Sequence, residues 1–203
     1  MPDERTVILW DVMGTLVYDP FYEDIPRFFG MTLDEVFRWK HPTAWVRFEL
    51  GELTETEFAQ SFFHDCRSVD AVGLRRCVQD AYQWLDGMPL LLQRLREQPH
   101  RAQSIRQCAF SNYPMWYEWI EEKLLLSRYL DEAFVSYQLG YRKPSTESYH
   151  RVMATLNVEP RECLFIDDRE VNVVAARHCG WDAILYENPG QVEGELKNRN
   201  LLT

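Results

Sequence analysis

Thr6-Val-Ile-Leu-Trp-Asp-Val-Met-Gly-Thr-Leu16 is the stretch that decides the fold. Thr6 to Trp10 is a short apolar run without polar alternation, the pattern of a strand buried on both faces of a parallel sheet. Asp11 closes the run and Gly14-Thr15 turn the chain. A strand that delivers a carboxylate to its carboxyl edge is one way an open α/β sheet presents a nucleophile. Four more runs read alike, at 107–111, 133–136, 162–166 and 182–186. Helical periodicity follows at 114–126, at 145–156, and along Val171, Val174, Ala175 and His178, which Gly180 stops. This alternation predicts an α/β fold with a doubly wound parallel sheet.

The interval between the first and second strands is far too long for a simple crossover. Residues 20–84 show helical patterns near 22–29, 32–39, 43–50, 54–65 and 71–84, punctuated by Gly30, Pro42 and Gly51. Thr54 followed by Glu57 reads as a capping box at a helix start. The expected organisation is a core of 1–19 and 85–203, with an α-helical cap subdomain of 20–84 inserted over the carboxyl edge of the sheet.

The totals set bounds. At 203 residues the chain is long enough for one substantial core. Apolar residues make up 46% and charged residues 27%, an ordinary globular balance. No apolar stretch approaches the roughly 20 residues of a membrane span. A net charge of −10, from 22 basic and 32 acidic residues, argues against a nucleic-acid groove but not against a small anionic substrate. Five cysteines without a CxxC pair, and no signal peptide in residues 1–5, point to an intracellular setting, cytoplasm or plastid.

Four motifs fall at successive strand ends: Asp11-Val-Met-Gly-Thr-Leu16, Phe110-Ser-Asn112, Gly140-Tyr-Arg-Lys-Pro144, and Leu164-Phe-Ile-Asp-Asp-Arg-Glu-Val-Asn172. Singly they are ordinary. Asp11 has an equal reading as a turn or cap residue, Ser111-Asn112 as turn chemistry, and Lys143 as a solvated loop lysine. Asp167-Asp168 is less bland, because adjacent carboxylates at a strand end repel unless a cation lies nearby. A doubly wound sheet would gather all four into one crevice.

In that order and spacing the motifs resemble the haloacid dehalogenase superfamily, whose members are mostly phosphatases. The likeness spans nearly the whole chain, with 20–84 similar to the small helical cap of one subgroup. It implies a Mg²⁺-dependent phosphomonoester hydrolase acting on a small phosphorylated metabolite. Asp11 would take the phosphoryl group as an aspartyl-phosphate, Thr15 would steady the loop, and Ser111 and Lys143 would bind phosphoryl oxygens. Asp168 and Asp167 would hold Mg²⁺ with Asp11 and the backbone carbonyl of Met13. Electrostatics agrees: a carboxylate attacking a phosphate dianion needs a metal and a lysine to cancel like-charge repulsion. Asn112 and Tyr113 are further substrate-binding candidates, and Arg142 and Arg169 are second-tier candidates for an anionic end.

Met13 departs from the pattern. Most phosphatases of the superfamily carry Asp there as general acid and base, and methionine has no proton to give. Three explanations compete: an acid from the cap, with His41 and Glu49 as candidates; a leaving group that needs little help; or a protein that binds phosphate or nucleotide with little turnover. Dehalogenation is the rival chemistry, since that branch also lacks the second Asp, but dehalogenases do without metal and Asp167-Asp168 counts against it. Trp10-Asp-Val-Met13, Asp19-Pro-Phe-Tyr-Glu-Asp24, Lys40-His-Pro42 and Asn112-Tyr-Pro114 further resemble the plastid flavin mononucleotide hydrolases of plants, which also carry Met at this position. An isoalloxazine ring would then stack on Tyr113 or Trp116.

Overall fold

The structure, a computed structural model, describes residues 6–98 and 105–203. The leading segment 1–5, read above for targeting signals, lies outside the described residues. Five strands form one parallel sheet: β1 (Thr6–Trp10), β2 (Ile105–Ser111), β3 (Glu132–Val135), β4 (Cys163–Asp167) and β5 (Asp182–Leu185), in the order β3-β2-β1-β4-β5. All five expected runs are strands, with ends moved by at most two residues. Trp10 sits opposite Ala109 on one side and Ile166 on the other, which makes β1 the central strand.

Successive side chains of a strand face opposite ways. Ile8 and Trp10 therefore enter one apolar cluster, while Val7 and Leu9 enter the other with Phe110, Phe165 and Trp181. Burial on both faces is why β1 and β4 read as unbroken apolar runs. The chain order reverses between β1 and β4, so the loops after these strands part and leave a crevice at their carboxyl ends.

Five helices lie between β1 and the return to the core: α1 (Asp24–Phe29), α2 (Leu33–Trp39), α3 (Ala44–Glu49), α4 (Glu55–Ser61) and α5 (Ala71–Ala81). The capping box of Thr54 and Glu57 is present, and α2 begins with a second one from Thr32 and Glu35. α4 stops four residues short of the expected 65 because residues 62–64 pair with the end of α2. The His41 amide donates to the Phe62 carbonyl (2.7 Å) and the His64 amide to the Trp39 carbonyl (3.0 Å). α5 likewise stops before 84, since the returning chain lies against the outgoing one. The Tyr18 amide donates to the Gln83 carbonyl and the Leu85 amide to the Leu16 carbonyl, both at 2.9 Å.

The remaining helices are α6 (Met88–Arg96), α7 (Tyr117–Leu124), α8 (Ser136–Leu139), α9 (Thr146–Leu156), α10 (Glu170–His178) and α11 (Pro189–Asn198). α7 starts three residues after the expected 114, because Pro114 opens a turn in which its carbonyl accepts from the Tyr117 amide. α6, α8 and α11 were not expected. α8 is a single turn, too short to show periodicity, whereas α11 carries a readable start, Asn188 as side-chain cap and Pro189 behind it. Among the described residues no helix is long and apolar enough to cross a membrane.

Candidate active site

β1 ends at Trp10, and the Asp11 amide donates to the Ile166 carbonyl (2.8 Å), so the pairing with β4 continues through the carboxylate-bearing residue. Gly14 follows at φ +82°, a left-handed conformation that glycine adopts without penalty. Its missing side chain matters as much: a Cβ there would lie 2.6 Å from Asp168 Oδ2. The loop thus lets Asp168 approach. Asp11, Asp167 and Asp168 each present a carboxylate oxygen, all within 4.8 Å of one another.

Lys143 lies among them, 1% exposed. Its Nζ donates to Asp11 Oδ1 (2.6 Å), to Asp167 Oδ2 (2.7 Å) and to the Phe110 carbonyl (2.6 Å), which uses all three of its N–H bonds. Asn112 fixes the lysine's backbone from both sides, accepting from its amide and donating to its carbonyl, each at 2.8 Å. Asp167 is wholly buried. Its Oδ1 accepts from the Arg169 amide (2.8 Å), and the Asn172 side-chain amide reaches both its oxygens (3.0 Å).

Three carboxylates face one ammonium, and burial sharpens the imbalance. Desolvation, the largest influence, pushes Asp11 up to about 8 against the pull of Lys143, with Asp167 and Asp168 adding to the rise. Desolvation alone would lower the Lys143 ammonium, yet Asp11 and Asp167 hold it above its ordinary value. Three clustered oxygen donors, buried at Asp11 and Asp167 and exposed at Asp168, with two unmatched negative charges fit a hard divalent cation, which would return Asp11 to its ionised form. The Met13 carbonyl is compatible with a place in that set. The bridge between Met13 and Val17 runs through the Gly14 amide to the Val17 carbonyl and the Val17 amide to the Val12 carbonyl, both 2.8 Å, and leaves it out.

Asp11, Met13, Asn112, Tyr113, Lys143 and Asp168 line one open cleft at the carboxyl edge of the sheet. Thr15 and Ser111 do not reach its wall; both are buried behind it, and neither hydroxyl has a hydrogen-bond partner among the described residues. Asp167 also lies behind the wall, reaching the cluster through Lys143. Arg142 and Arg169 both line the cleft.

The chain from Asp19 to the end of α3 supplies the opposite wall through Asp19, Phe21, Tyr22, Phe37, Lys40, Trp45 and Glu49. Of the two acids expected from this region, Glu49 is on the wall and His41 is not; the His41 ring accepts from the Thr43 amide instead. Glu49 is 5% exposed, with Oε1 accepting from the Trp45 indole (2.7 Å) and Oε2 from Arg142 Nε (2.9 Å) and its terminal nitrogen (2.8 Å). The expected stacking residues are largely withdrawn. Trp116 is 1% exposed, buried edge-on against Phe48 and Phe58 beneath the cleft, and Tyr113 ties its hydroxyl to Tyr82 (2.8 Å). The rings that open on the cleft are Tyr22 and Phe37, about half exposed, with Phe21 between them. Asn172 and Asp19 stand inside the motifs without a signal of their own, although Asn172, five residues after Asp167, is spaced to return to it across the first turn of α10.

The match to a family model of haloacid dehalogenase-like hydrolases extends over residues 6–180. Flavin mononucleotide hydrolase 1 of Arabidopsis thaliana, described as chloroplastic, is 44% identical over 192 residues, covering 95% of this chain and 76% of that one. D-ribitol-5-phosphate phosphatase of Bacteroides thetaiotaomicron is 33% identical over 79 residues, 39% of this chain and 38% of the relative. A HAD-like hydrolase structure from Porphyromonas gingivalis superposes with a TM-score of 0.76 at 18% identity, covering 97% of this chain and 98% of its own. A parallel sheet that gathers Asp11, Lys143 and Asp167-Asp168 at one edge, matched by that family over most of its length, makes this chain a member of the haloacid dehalogenase-like hydrolases.

Proposed function

We propose that this hydrolase cleaves phosphomonoesters by phosphoryl transfer to Asp11, in a Mg²⁺-loaded site, from substrates whose leaving group carries a planar ring, flavin mononucleotide being the example. The observation that carries the reading is Lys143 held between Asp11 and Asp167, with Asp11 and Asp168 lining an aromatic-mouthed cleft and Asp167 behind them completing a three-carboxylate cluster. Asp11, Asp168 and the Met13 carbonyl would hold the metal, with Asp167 assisting from behind. The ion supplies charge cancellation between the carboxylate and the phosphate dianion.

Lys143 contributes the same cancellation from the protein side and orients Asp11 through Oδ1, leaving the second carboxylate oxygen free to attack phosphorus. The new bond is an aspartyl-phosphate, which water then hydrolyses. Ser111, whose hydroxyl one layer behind is unengaged, would donate to a phosphoryl oxygen, and Thr15 would steady the loop that carries Asp11. Residues 20–84 act as the cap that shuts water out. Dehalogenation needs neither a metal nor the Asp167-Asp168 pair and accounts for less of the cluster.

Tyr22 and Phe37 favour a ring-bearing substrate, and the Arabidopsis relative is named for flavin mononucleotide. Hydrolysis assays with Mg²⁺ on flavin mononucleotide, D-ribitol 5-phosphate and p-nitrophenyl phosphate test both parts. Activity should vanish on chelation. An aromatic contact of about 0.5–1.5 kcal/mol means that Phe37→Ala raises KM for flavin mononucleotide by a factor of roughly 2 to 13 and leaves that for ribitol phosphate nearly unchanged. Metal-independent turnover sinks the first part, and equal KM changes sink the second.

A further inference from the structure

The leaving group of an alkyl phosphate departs as an unstable alkoxide unless a proton reaches it, and Met13 has none to give. The carboxylates around the cleft are nearly all committed. Asp11 is tied to Lys143, Asp167 is closed off by Lys143 and Asn172, and Asp168 belongs to the cluster proposed for the metal. Burial raises the Glu49 carboxyl above its ordinary value against the pull of Arg142 and Trp45, but one of its oxygens is held by the Trp45 indole and the other by the Arg142 guanidinium, so neither is free to face a leaving group.

Asp19 is different. It stands on the stretch that leads from the β1 loop to α1 and lines the same cleft as Asp11, Met13 and Asp168. Oδ1 accepts from the Phe21 amide (2.9 Å), while Oδ2 has no hydrogen bond, and no ion pair reaches the group, among the described residues. Burial, the dominant influence, pushes its carboxyl from the ordinary 3.8 to about 6; the Phe21 amide and Arg169 oppose the rise and Asp168 adds to it. The other groups that sense its charge are the phenols of Tyr22, Tyr82 and Tyr113, all held neutral by burial. A carboxyl near 6 can carry a proton at working pH and give it up again.

We propose that Asp19 is the catalytic acid of this site, donating its proton to the leaving-group oxygen in place of the side chain at position 13. The proposal rests on the phosphomonoesterase reading above. As the Asp11 oxygen bonds to phosphorus, the ester P–O bond breaks and its electron pair stays on the leaving oxygen. The Asp19 proton joins that oxygen, the alcohol departs, and Asp19 is left as a carboxylate. In the second half Asp19 accepts a proton from the water whose oxygen attacks phosphorus, the Asp11–phosphate bond breaks, and both side chains return to their starting forms.

Asp19→Asn separates this role from a structural one, because the amide oxygen still accepts from Phe21 while the acid is gone. The measurement is rapid-quench release of the first product, with Mg²⁺ present. The substrates are p-nitrophenyl phosphate and whichever of flavin mononucleotide and D-ribitol 5-phosphate the unaltered enzyme turns over. Loss of a general acid should slow alcohol release from the alkyl ester by about 10²–10⁴-fold, whereas the nitrophenol burst stays within about tenfold because that leaving group needs no proton. Asp19→Ser, which keeps an oxygen for the turn, should show the same split. Alkyl-ester release at the unaltered rate in either variant, or equal slowing on both esters in a folded variant, overturns the assignment. An unaltered enzyme that hydrolyses no phosphomonoester overturns the reading beneath it as well.

Discussion

Asp19 and Lys143 show how burial assigns different work to charged side chains in one cleft. Lys143 meets three oxygen acceptors and stays charged; Asp19 meets one amide and does not ionise until about pH 6. That difference has a consequence for stability. A carboxyl whose folded value lies above its ordinary one keeps its proton in the folded chain after the unfolded chain has lost it. Stability tied to Asp19 is therefore present below about pH 4 and is lost as pH rises through about 6. Asp19→Asn has no proton to lose. In metal-free denaturant titrations its unfolding free energy, relative to the unaltered chain, should climb from about pH 4 to about pH 6 and then level off. A flat difference would mean that Asp19 is solvated, and a falling one that the fold stabilises its carboxylate.

Between the helices of 20–84 and the core, the contact that matters most runs through the end of α3. The Ser136 hydroxyl donates to the Glu49 carbonyl (2.5 Å), Arg142 grips the Glu49 side chain, and Gly51 lies close to the backbone of α8. Gly51 has φ +72°, and a Cβ there would sit 2.8 Å from the Tyr137 carbonyl oxygen. Gly30 has a similar φ, +63°, but open space around it. Each Gly→Ala change carries the left-handed penalty of about 1–2 kcal/mol, and only Gly51→Ala adds a clash that pushes α3 off α8. Denaturant titration should find Gly51→Ala the less stable of the two, and assays should find KM raised in it alone. Two variants alike in both would mean that this contact does not position the cleft wall. The sequence marked Gly51 as a turn through its lack of a side chain, but its backbone neighbour belongs to an unpredicted single-turn helix, which no periodicity could reveal. The early ends of α4 and α5 were hidden for a related reason, since they are set by backbone pairing with distant segments.

Across the molecule, what was legible follows from what each signal depends on. Strands buried on both faces must be apolar throughout, so all five could be read; which strand neighbours which is decided by packing of helices on the two faces, and no single run carries it. Asp11, Asp167 and Asp168 could be picked out because acids at the ends of apolar runs are conspicuous, whereas Lys143, in a loop, gained meaning only from the order and spacing of the four motifs. Depth was not legible: Thr15, Ser111 and Asp167 lie behind the cleft wall, Trp116 beneath it, and the role proposed for Asp19 rests on burial that no local pattern shows. All of these roles depend on Asp11 forming a bond to phosphorus. Acid-quenching the enzyme during turnover of flavin mononucleotide or p-nitrophenyl phosphate with Mg²⁺, followed by peptide mass spectrometry, tests that bond directly. The expected result is a phosphoryl group on the peptide that contains Asp11, absent from Asp11→Asn together with activity. Turnover without any phosphorylated Asp11, or an active Asp11→Asn enzyme, would contradict it.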